Sequence, residues 1–402
     1  MKYCQRFVFV VISILTFSFL LSADDEKGEK ARTFTVSKGG MLDVSVNIGN
    51  IHVRTWDKNE VTVHLTTDDE EEGDYSGVRI RQRENTIHID NDRRYDYEPW
   101  GEVDISVDIP SQFNIQLATA AGDIDITGKV AGDIEAQTSG GNINTGAVDG
   151  RVLLVTSGGD ISTDDVNGDL SLNTSGGNIR VGIVTGITDV HTSGGDIIID
   201  RSDKKVTAET AGGNVQIGDI GGDALVSTAG GDIMVERVSG NARLKSAGGN
   251  VSLRSANGAV VARTAGGDIH ADSIVGSIDA KTSAGNIEVE LIPSGSGKTK
   301  LSSSVGDVRL YISENAKASI TARNRMHYAG SWDENEDAIA SDFKEDSYEN
   351  DTRRREVRAS YTLNGGGQQI SIETSMGRIE ILKADSRKRQ GWGTKHKVKY
   401  KR

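Results

Sequence analysis

The chain has 402 residues, including 48 glycines and only 3 prolines, and aromatic residues make up 5% of it. Glycine does not follow a strict Gly-X-Y period, which excludes collagen, and the scarcity of aromatic residues predicts a thin, aliphatic core. The net charge of −13 excludes the whole protein as an electrostatic match for nucleic acid or for an anionic membrane surface.

The N-terminus has the pattern of a secretory signal peptide, which we place at residues 1–23. Lys2 and Arg6 precede an apolar run over residues 7–21, and "LSA" ends at Ala23 with small residues suited to cleavage. An uncleaved anchor is the alternative, although the run is shorter than the roughly 20 residues that a membrane span needs. Cys4 is the only cysteine, so disulfides and cysteine-ligated metals are excluded after this segment. We expect export to the periplasm, the outer membrane surface or the extracellular space.

Residues 32–115 predict a β-strand region that opens the fold. "TFTVSKGGMLDVSVNIGNIHVRTW" alternates polar and apolar residues at the period of a strand. Within it, "IGNIHV" at 48–53 resembles a degenerate copy of the repeat described next. The acidic run "DDEEEGD" at 68–74 is interpreted as a solvated loop.

Residues 116–310 contain a regular repeat. The motif "TSGGDI" at 156–161 recurs with small changes, and an irregular copy stands at each end, 19 residues before the series and 21 residues after it. A fixed period of 18 residues sustained over so many copies indicates a solenoid, in which each unit buries its apolar face against its neighbours. The Thr or Ser that opens each copy is position 1 of a coil; these residues are Thr119, Thr138, Thr156, Thr174, Thr192, Thr210, Thr228, Ser246, Thr264, Thr282 and Ser303.

Each coil predicts two short strands. Apolar residues stand at positions 6 and 8 and again at positions 15 and 17, with a further anchor at position 11, which is strand alternation rather than helical spacing. Glycines at positions 3, 4 and 13 mark the corners, where we expect them to supply positive φ. We therefore predict an all-β parallel β-helix, or β-solenoid, with 18-residue coils. The left-handed hexapeptide type is excluded because its anchors would recur every six residues.

Position 5 alternates between Asp and Asn without interruption over eleven coils, from Asp123 and Asn142 to Asp307. Stacked coils would place these side chains one above another, where adjacent carboxylates repel. We interpret the alternation as a polar ladder in which each Asn amide donates to a neighbouring Asp. Passive duplication of a 36-residue unit is the alternative, and we expect no other position to follow that rhythm. The Thr at position 1 is predicted to face inward, with its hydroxyl bonded to backbone or to the next Thr.

Residues 311–383 predict a closing β region, in which "GGGQQISIETSMGRIEI" at 365–381 ends the solenoid. An acidic insertion at 332–352, with nine acidic residues and one Lys, is interpreted as a mobile surface loop. The tail at 384–402 is basic: counted from Lys383 it carries a net charge of +8. Such a tail is suited to anionic lipid or to an acidic polymer, and a solubilising disordered end is the alternative.

The chain resembles the bacterial β-strand-repeat domains called adhesins of the head-GIN type. The resemblance rests on the "TSGGDI" coils, on "SDF" at 341–343 before "RRREVRASYTLNGGG", and on the closing "IETSMGRIEI". It covers about residues 32–383. It implies a right-handed β-helix at the cell envelope and a binding role, and it carries no catalytic residues onto this chain.

No catalytic, cofactor-binding or metal site is predicted. The histidines at 52, 64, 88, 191, 270, 327 and 396 are scattered, and no serine lies in a G-x-S-x-G elbow. Calcium in the Asp/Asn ladder is disfavoured because half of its rungs are uncharged. No Phe, Tyr or Trp occurs from Asn114 to Leu310, which argues against sugar stacking and nucleic-acid binding on the array. Trp56, Trp100 and Trp332 leave a site at either end open.

We therefore expect an exported, non-enzymatic scaffold or adhesin-like protein whose partner is an envelope or surface glycan or protein. A polysaccharide-processing β-helix enzyme, a lyase or a hydrolase, is the alternative function.

Overall fold

A computed structural model describes residues 24–25, 29–67, 78–91, 103–325 and 338–387. The predicted signal peptide, the acidic run 68–74 and the tail beyond residue 387 lie outside these residues, as do Trp100 and Trp332. The described chain is almost entirely β structure. Its strands and single short helix are, in chain order, β1 (Asp24–Asp25), β2 (Glu29–Thr35), β3 (Gly40–Ile48), β4 (Ile51–Trp56), β5 (Glu60–Thr67), β6 (Val78–Arg83), β7 (Thr86–Asn91), β8 (Val103–Pro110), β9 (Phe113–Ala121), β10 (Ile124–Thr127), β11 (Ile134–Gln137), β12 (Ile143–Thr145), β13 (Val152–Val155), β14 (Ile161–Thr163), β15 (Leu170–Asn173), β16 (Ile179–Val184), β17 (Thr188–His191), β18 (Ile197–Ser202), β19 (Val206–Glu209), β20 (Val215–Ile220), β21 (Ala224–Ser227), β22 (Ile233–Val238), β23 (Ala242–Lys245), β24 (Val251–Ala256), β25 (Val260–Arg263), β26 (Ile269–Gly276), β27 (Ile278–Ala284), β28 (Ile287–Pro293), β29 (Thr299–Val305), β30 (Val308–Ile312), β31 (Ala318–Arg325), β32 (Ile339–Ser341), β33 (Ser347–Asp351), β34 (Glu356–Leu363), β35 (Gln368–Thr374), β36 (Ile379–Lys383) and α1 (Ala384–Arg387).

Successive strands alternate between two long sheets. Sheet A runs in space β1-β2-β5-β8-β4, then through the even-numbered strands from β10 to β30, and ends β36-β32. Sheet B runs β6-β7-β3, then through the odd-numbered strands from β9 to β29, and ends β35-β31-β34-β33. Pairing is parallel through the body of both sheets and antiparallel only near their ends. This arrangement confirms the all-β, parallel, solenoid-like prediction.

Through the repeat, the paired residues of neighbouring coils are 18 apart in sequence. Ile161 pairs with Ile179, which pairs with Ile197 in sheet A. Leu172 pairs with Val190 in sheet B. The offset rises to 21 where Asp279 pairs with Lys300, which absorbs the three extra residues around Pro293. The sequence spacing is therefore the spatial register.

The inward positions of the coil are the predicted ones. In the coil that opens at Thr156, the buried residues include Ile161, Val166, Leu170 and Leu172, at positions 6, 11, 15 and 17. Equivalent residues from all coils form one continuous core. Each fully buried Val, Leu or Ile contributes roughly 1.5–3 kcal/mol of transfer free energy. The core is thin and aliphatic, as the composition predicts.

The Thr or Ser at position 1 is buried along the array and bonds to backbone, as predicted. Thr192 is a typical case: its Oγ1 donates to the carbonyl of Gly177 at 2.9 Å and accepts the N–H of Gly195 at 3.3 Å. The first bond joins two coils and the second closes the corner within one coil. A hydroxyl in this place satisfies two backbone groups that would otherwise be buried without partners.

The glycine at position 4 is required by the close approach of stacked backbones. A Cβ built on Gly195 would lie 2.0 Å from the carbonyl oxygen of Gly177 in the previous coil, and one on Gly159 would lie 2.0 Å from that of Gly141. The expectation of positive φ holds only near the ends of the array, as at Gly122 and Gly306. At position 3 the space is larger, because a Cβ on Gly194 would lie 3.1 Å from the nearest atom.

The position 5 side chains stack into one hydrogen-bonded ladder. The main bond differs from the predicted one, because the side-chain Oδ1 of each rung accepts the backbone N–H of position 5 in the next coil. Asn178 N donates to Asp160 Oδ1 at 2.6 Å, and Asp196 N donates to Asn178 Oδ1 at 2.9 Å. The predicted amide-to-carboxylate bond forms only at some of the described rungs, for example at 3.3 Å from Asn178 Nδ2 to Asp160. Either Asp or Asn can therefore supply the oxygen that the ladder needs.

Two observations bear on why the rungs alternate. In spatial order the ladder begins with Asp104 and Asn50, since Asn50 Nδ2 donates to Asp104 at 2.8 Å and Asn50 Oδ1 accepts from Asp123 N at 2.8 Å. These two residues are out of chain order yet continue the alternation, which favours the physical interpretation. The expectation that no other position follows the two-coil rhythm is wrong: position 9 is glycine in three Asn coils and acidic in the intervening Asp coils, as Gly146, Asp164, Gly182, Asp200, Gly218 and Glu236.

A second ladder, which is interrupted at several coils, occupies position 14 at the corner before the sheet B strands, and was not predicted. Arg151 N donates to Asp133 Oδ1 at 2.9 Å, and Ile187 N donates to Asp169 Oδ1 at 2.8 Å. Position 14 is occupied by several residue types along the sequence, so its pattern is weaker than that of position 5.

Both ends of the solenoid are built out of chain order. The β3–β4 coil lies between the β7–β8 coil and the β9–β10 coil. At the other end, β35 and β36 lie between β29–β30 and β31–β32. The segment 365–381 therefore fills the penultimate place instead of ending the solenoid. The described part of the acidic insertion is not wholly loop, since it contains β32 and β33 with an irregular stretch at 342–346 between them.

We predict that Gly195→Ala destabilises the protein by roughly 2–4 kcal/mol, because the added methyl would overlap the carbonyl of the coil beneath. Gly194→Ala is the matched control and should cost less than about 1 kcal/mol, since Ala already stands at position 3 as Ala284. Urea and thermal unfolding of the two variants give the comparison. Equal destabilisation would contradict the steric role of position 4.

We predict that Asn178→Asp destabilises the protein by roughly 0.5–1 kcal/mol at low salt, because it places three carboxylates on adjacent rungs. The loss should shrink at high ionic strength, where these exposed charges are screened. Asp160→Asn also breaks the alternation but adds no charge, and serves as the control. If both variants unfold like the parent at low salt, the alternation is a passive trace of duplication.

Candidate binding surface

The outward side chains of the two sheets form the accessible faces of the molecule. Sheet A presents position 7 and sheet B presents positions 16 and 18, which lie between the inward residues. Stacking restricts which residues can stand at the inward and corner positions. It does not restrict the outward positions, which vary from coil to coil. The functional surface is therefore expected on them.

A groove with a volume of about 410 Å³ lies on sheet A near its N-terminal end. Its outward residues form a row across four strands, in which His64, Ser106, His52 and Asp125 are register partners in turn. His52 Nδ1 lies 3.3 Å from Asp125 Oδ2. In this described row, no hydrogen bond joins Ser106 to His52, so these two side chains are neighbours rather than a connected nucleophile–base pair.

The groove is bordered by an ion pair. Arg54 Nε and Nη2 donate to the two carboxylate oxygens of Asp108 at 2.7 and 3.0 Å. These hydrogen bonds, together with the charge of Asp108, raise the pKa of Arg54. The fork geometry fixes both side chains and leaves the guanidinium largely exposed.

Two smaller depressions lie along the array. The depression on sheet A is lined by residues including Gln216, Gly218 and Met234, and forms where glycine interrupts the outward side chains. The depression on sheet B includes Asp133 and Arg151. The backbone N–H and the side chain of Arg151 lower the pKa of Asp133, so this carboxylate is held as an anion at the corner.

The described histidines lie apart from one another, except in the row at the N-terminal end. His191 contacts Asp189 at 2.8 Å and Glu209 at 3.6 Å. His270 contacts Asp272 at 3.1 Å. Across the described ranges, no group of three or more His, Cys, Asp or Glu side chains has the geometry to hold a metal ion.

The C-terminal end of sheet B carries a buried carboxylate between two arginines. Glu356 accepts hydrogen bonds from Arg323, one of them at 3.1 Å from Nη2, and from Arg358 Nε at 2.7 Å. The hydrogen bonds from Arg323 and then Arg358 lower the pKa of Glu356 from an ordinary 4.5 to about 2. The cluster joins β31 to β34, where the sheet changes from parallel to antiparallel pairing.

The fold and these faces define a repetitive β-solenoid-like protein, and comparison with family models identifies its family. The Toastrack DUF4097 model matches residues 39–218 and 200–382. The chain therefore belongs to the Toastrack family, in agreement with the resemblance to adhesin-type repeat domains. A search of curated proteins found no match. Over the part of the chain that is described, no helix is long and apolar enough to cross a membrane.

Three solved structures are similar over most of their length. A "putative adhesin" from Bacteroides fragilis is 14% identical, with a TM-score of 0.25, covering 88% of this chain and 96% of that one. A "putative adhesin" from Parabacteroides merdae is 10% identical, with a TM-score of 0.24, covering 67% and 94%. A "putative lipid binding protein" from Parabacteroides distasonis is 13% identical, with a TM-score of 0.22, covering 71% and 93%.

We predict that Glu356 makes stability depend on pH between about 4.5 and 2. Its pKa is lowered in the folded state, so its contribution is fully present above the unfolded value near 4.5 and is lost as pH falls through about 2. Glu356→Gln should lower the unfolding midpoint at pH 7 and flatten this acid dependence. Thermal melts from pH 2 to 7 measure it.

Glu135→Gln, on the exposed face of β11, is the control for removal of one surface charge. An unchanged acid dependence in Glu356→Gln would show that the arginine pair does not stabilise the fold.

Proposed function

We propose that this Toastrack protein is an exported, non-enzymatic β-solenoid that serves as a cell-envelope scaffold or an adhesin-like binding protein. The proposal includes a right-handed β-helix with 18-residue coils. The 18-residue register between paired strands supports the coil length. Right-handedness is supported by the strong preference of parallel crossover connections for that hand.

The observation that carries the proposal is the rigidity and length of the two outer faces. Every coil is tied to the next by parallel strand pairing, by a buried hydroxyl such as that of Thr192, and by the position 5 ladder. Outward side chains are consequently held at fixed spacing over the whole array. Such a surface suits recognition of an extended or repetitive partner.

Export is supported by the sequence of residues 1–23, with its basic start, apolar run and small residues at Ala23. The basic tail at 384–402 would add contact with anionic lipid or polymer. The partner we propose is an envelope or surface glycan or protein.

A polysaccharide-processing enzyme is the second candidate, and the N-terminal groove is the observation that favours it. His52 and Asp125 form an imidazole–carboxylate pair beside Ser106. Acid–base chemistry on a glycan would need groups of this kind within reach of the bond that is cleaved.

The test uses the full-length chain expressed in a bacterium with an outer membrane. We expect the protein in the periplasmic or surface fraction, and we expect deletion of residues 1–23 to retain it in the cytoplasm. Deletion of residues 388–402 should reduce membrane association without changing export. Retention of the full-length chain in the cytoplasm would contradict the proposal.

Binding and catalysis are separated on a glycan and envelope-protein array. We expect saturable binding to at least one ligand and no change in the length of a bound glycan after long incubation. Released oligosaccharide that disappears in His52→Ala would overturn the non-enzymatic assignment in favour of the enzyme.

A further inference from the structure

We infer that a row of cations on the outer face of sheet B is a binding site for a linear acidic polysaccharide. The row, called here the cationic row, consists of Lys245, Arg263 and Lys281. This inference rests on the proposed binding function and names the partner class and the place where it binds. The three residues occupy position 18 of three successive coils and are direct register partners.

The geometry of the row follows from strand stacking. Neighbouring strands are about 4.8 Å apart, so the three cations span about 10 Å along the solenoid axis. The row is flanked by Arg243, at position 16 on β23, and by Lys300 on β29, which is the register partner of Asp279 at position 16. All five side chains point away from the core, and four of them are exposed, with Arg263 half-buried.

Acidic partners offset only part of this charge. Arg263 pairs with Asp279, and Lys300 lies 3.8 Å from Glu373. Within the described residues, Arg243, Lys245 and Lys281 form no ion pair. Five cations against two carboxylates leave a local charge of about +3 on a chain whose net charge is −13.

The row is not explained by the needs of the fold. Like charges that face each other across paired strands are destabilising, and position 5 of this same array alternates in charge. At position 18 the preceding coils carry Asn173, His191, Glu209 and Ser227, so stacking does not require cations there. Three adjacent cations are therefore a cost that an anionic partner would offset.

The occupant is a single extended chain rather than a broad surface. Toward the N-terminal end, the same face carries Glu135, Asp189 and Glu209, which a flat anionic membrane would meet at the same time as the row. A polymer lying along the row over a few coils meets the cations, and the two carboxylates beside them, Asp279 and Glu373, are each already paired with one of the cations. Its acidic groups would receive charge-assisted hydrogen bonds from the ammonium groups of Lys245 and Lys281, while the Arg263 guanidinium between them stays hydrogen-bonded to Asp279.

An acidic glycan fits this surface better than a nucleic acid does. Binding of single-stranded nucleic acid relies on bases stacked on aromatic side chains, and from Asn114 to Leu310 the sequence contains no Phe, Tyr or Trp. A carboxylated or sulfated polysaccharide needs only cations and hydrogen-bond donors at regular spacing. The cationic row and the flanking Arg243 and Lys300 supply both the positive charge and the hydrogen-bond donors.

The experiment measures binding of the full chain to polygalacturonate and to dextran sulfate, which present carboxylates and sulfates respectively, with neutral dextran as the reference. The test variant is Lys245→Gln/Lys281→Gln. The control is Lys204→Gln/Lys205→Gln, which removes the same charge from an exposed corner before β19. Single-stranded DNA and vesicles containing phosphatidylglycerol are the competing partners.

We expect at least one acidic polysaccharide to bind, with affinity that falls as salt rises, and to bind the test variant about tenfold or more weakly, because affinity for a linear polyanion grows with each cation engaged. The control variant should change affinity less than twofold. The polymer that loses more affinity identifies the acidic group.

Three results would overturn the inference: no binding of either acidic polymer, equal loss in both double variants, or tighter and row-dependent binding of DNA or vesicles. If the parent and the test variant bind an uncharged glycan or an envelope protein equally well, the proposed binding function stands while the cationic row is not its site. Circular dichroism of each variant checks that the fold is intact.

Discussion

The whole structure depends on parallel coils stacked in register at the spacing of a β-sheet. At about 4.8 Å, the corners come so close that a side chain at position 4 would enter the carbonyl of the coil below, as Gly195 shows against Gly177. The same spacing brings the Thr192 hydroxyl to that carbonyl and the Asn178 side chain to the next backbone N–H. Each residue of the motif that opens a coil therefore meets the same geometric constraint. The motif consists of a hydroxyl, two small residues and a side-chain oxygen, followed by an inward aliphatic residue.

The open ends are the main liability of such a stack, because a terminal parallel strand offers unpaired backbone groups to other chains. This chain ties each end with a coil taken from elsewhere in the sequence, since β3–β4 and β35–β36 both occupy penultimate places. Opening an end would require displacement of two segments rather than one. The outermost strands are also poor templates for pairing: β32 has only three residues, and the exposed side of β6 carries Arg79, Arg81 and Arg83.

The sequence could predict what is local and periodic. The inward parity of Ile161, Leu170 and Leu172 follows from alternation at period two, and their register follows from the 18-residue spacing. The order of the end coils could not be predicted, because it depends on pairings such as Ile124 with Ile51 that the local pattern does not distinguish from a sequential order. The second ladder was missed because its donor is a backbone N–H. Any residue type can supply that donor to the side-chain oxygen of a residue such as Asp133, so half of the ladder positions show no sequence preference. The reason for the position 4 glycines was also missed. A close approach between coils and a positive φ both select glycine, so the sequence does not distinguish the two causes.

The stacking constraint makes the fold easy to predict from the sequence, but it gives no information about function. The inward and corner positions absorb the stacking constraint and repeat, whereas the outward positions are free of it and carry what is particular to this protein. An energetically unfavourable arrangement at an outward position is therefore informative about function. The array separates charge at position 5, where Asp160 and Asp196 have Asn178 between them, and yet it stacks cations on three successive coils at position 18. One backbone geometry governs both positions, so stacking does not account for the difference between them, and we attribute the cations at position 18 to the proposed anionic partner.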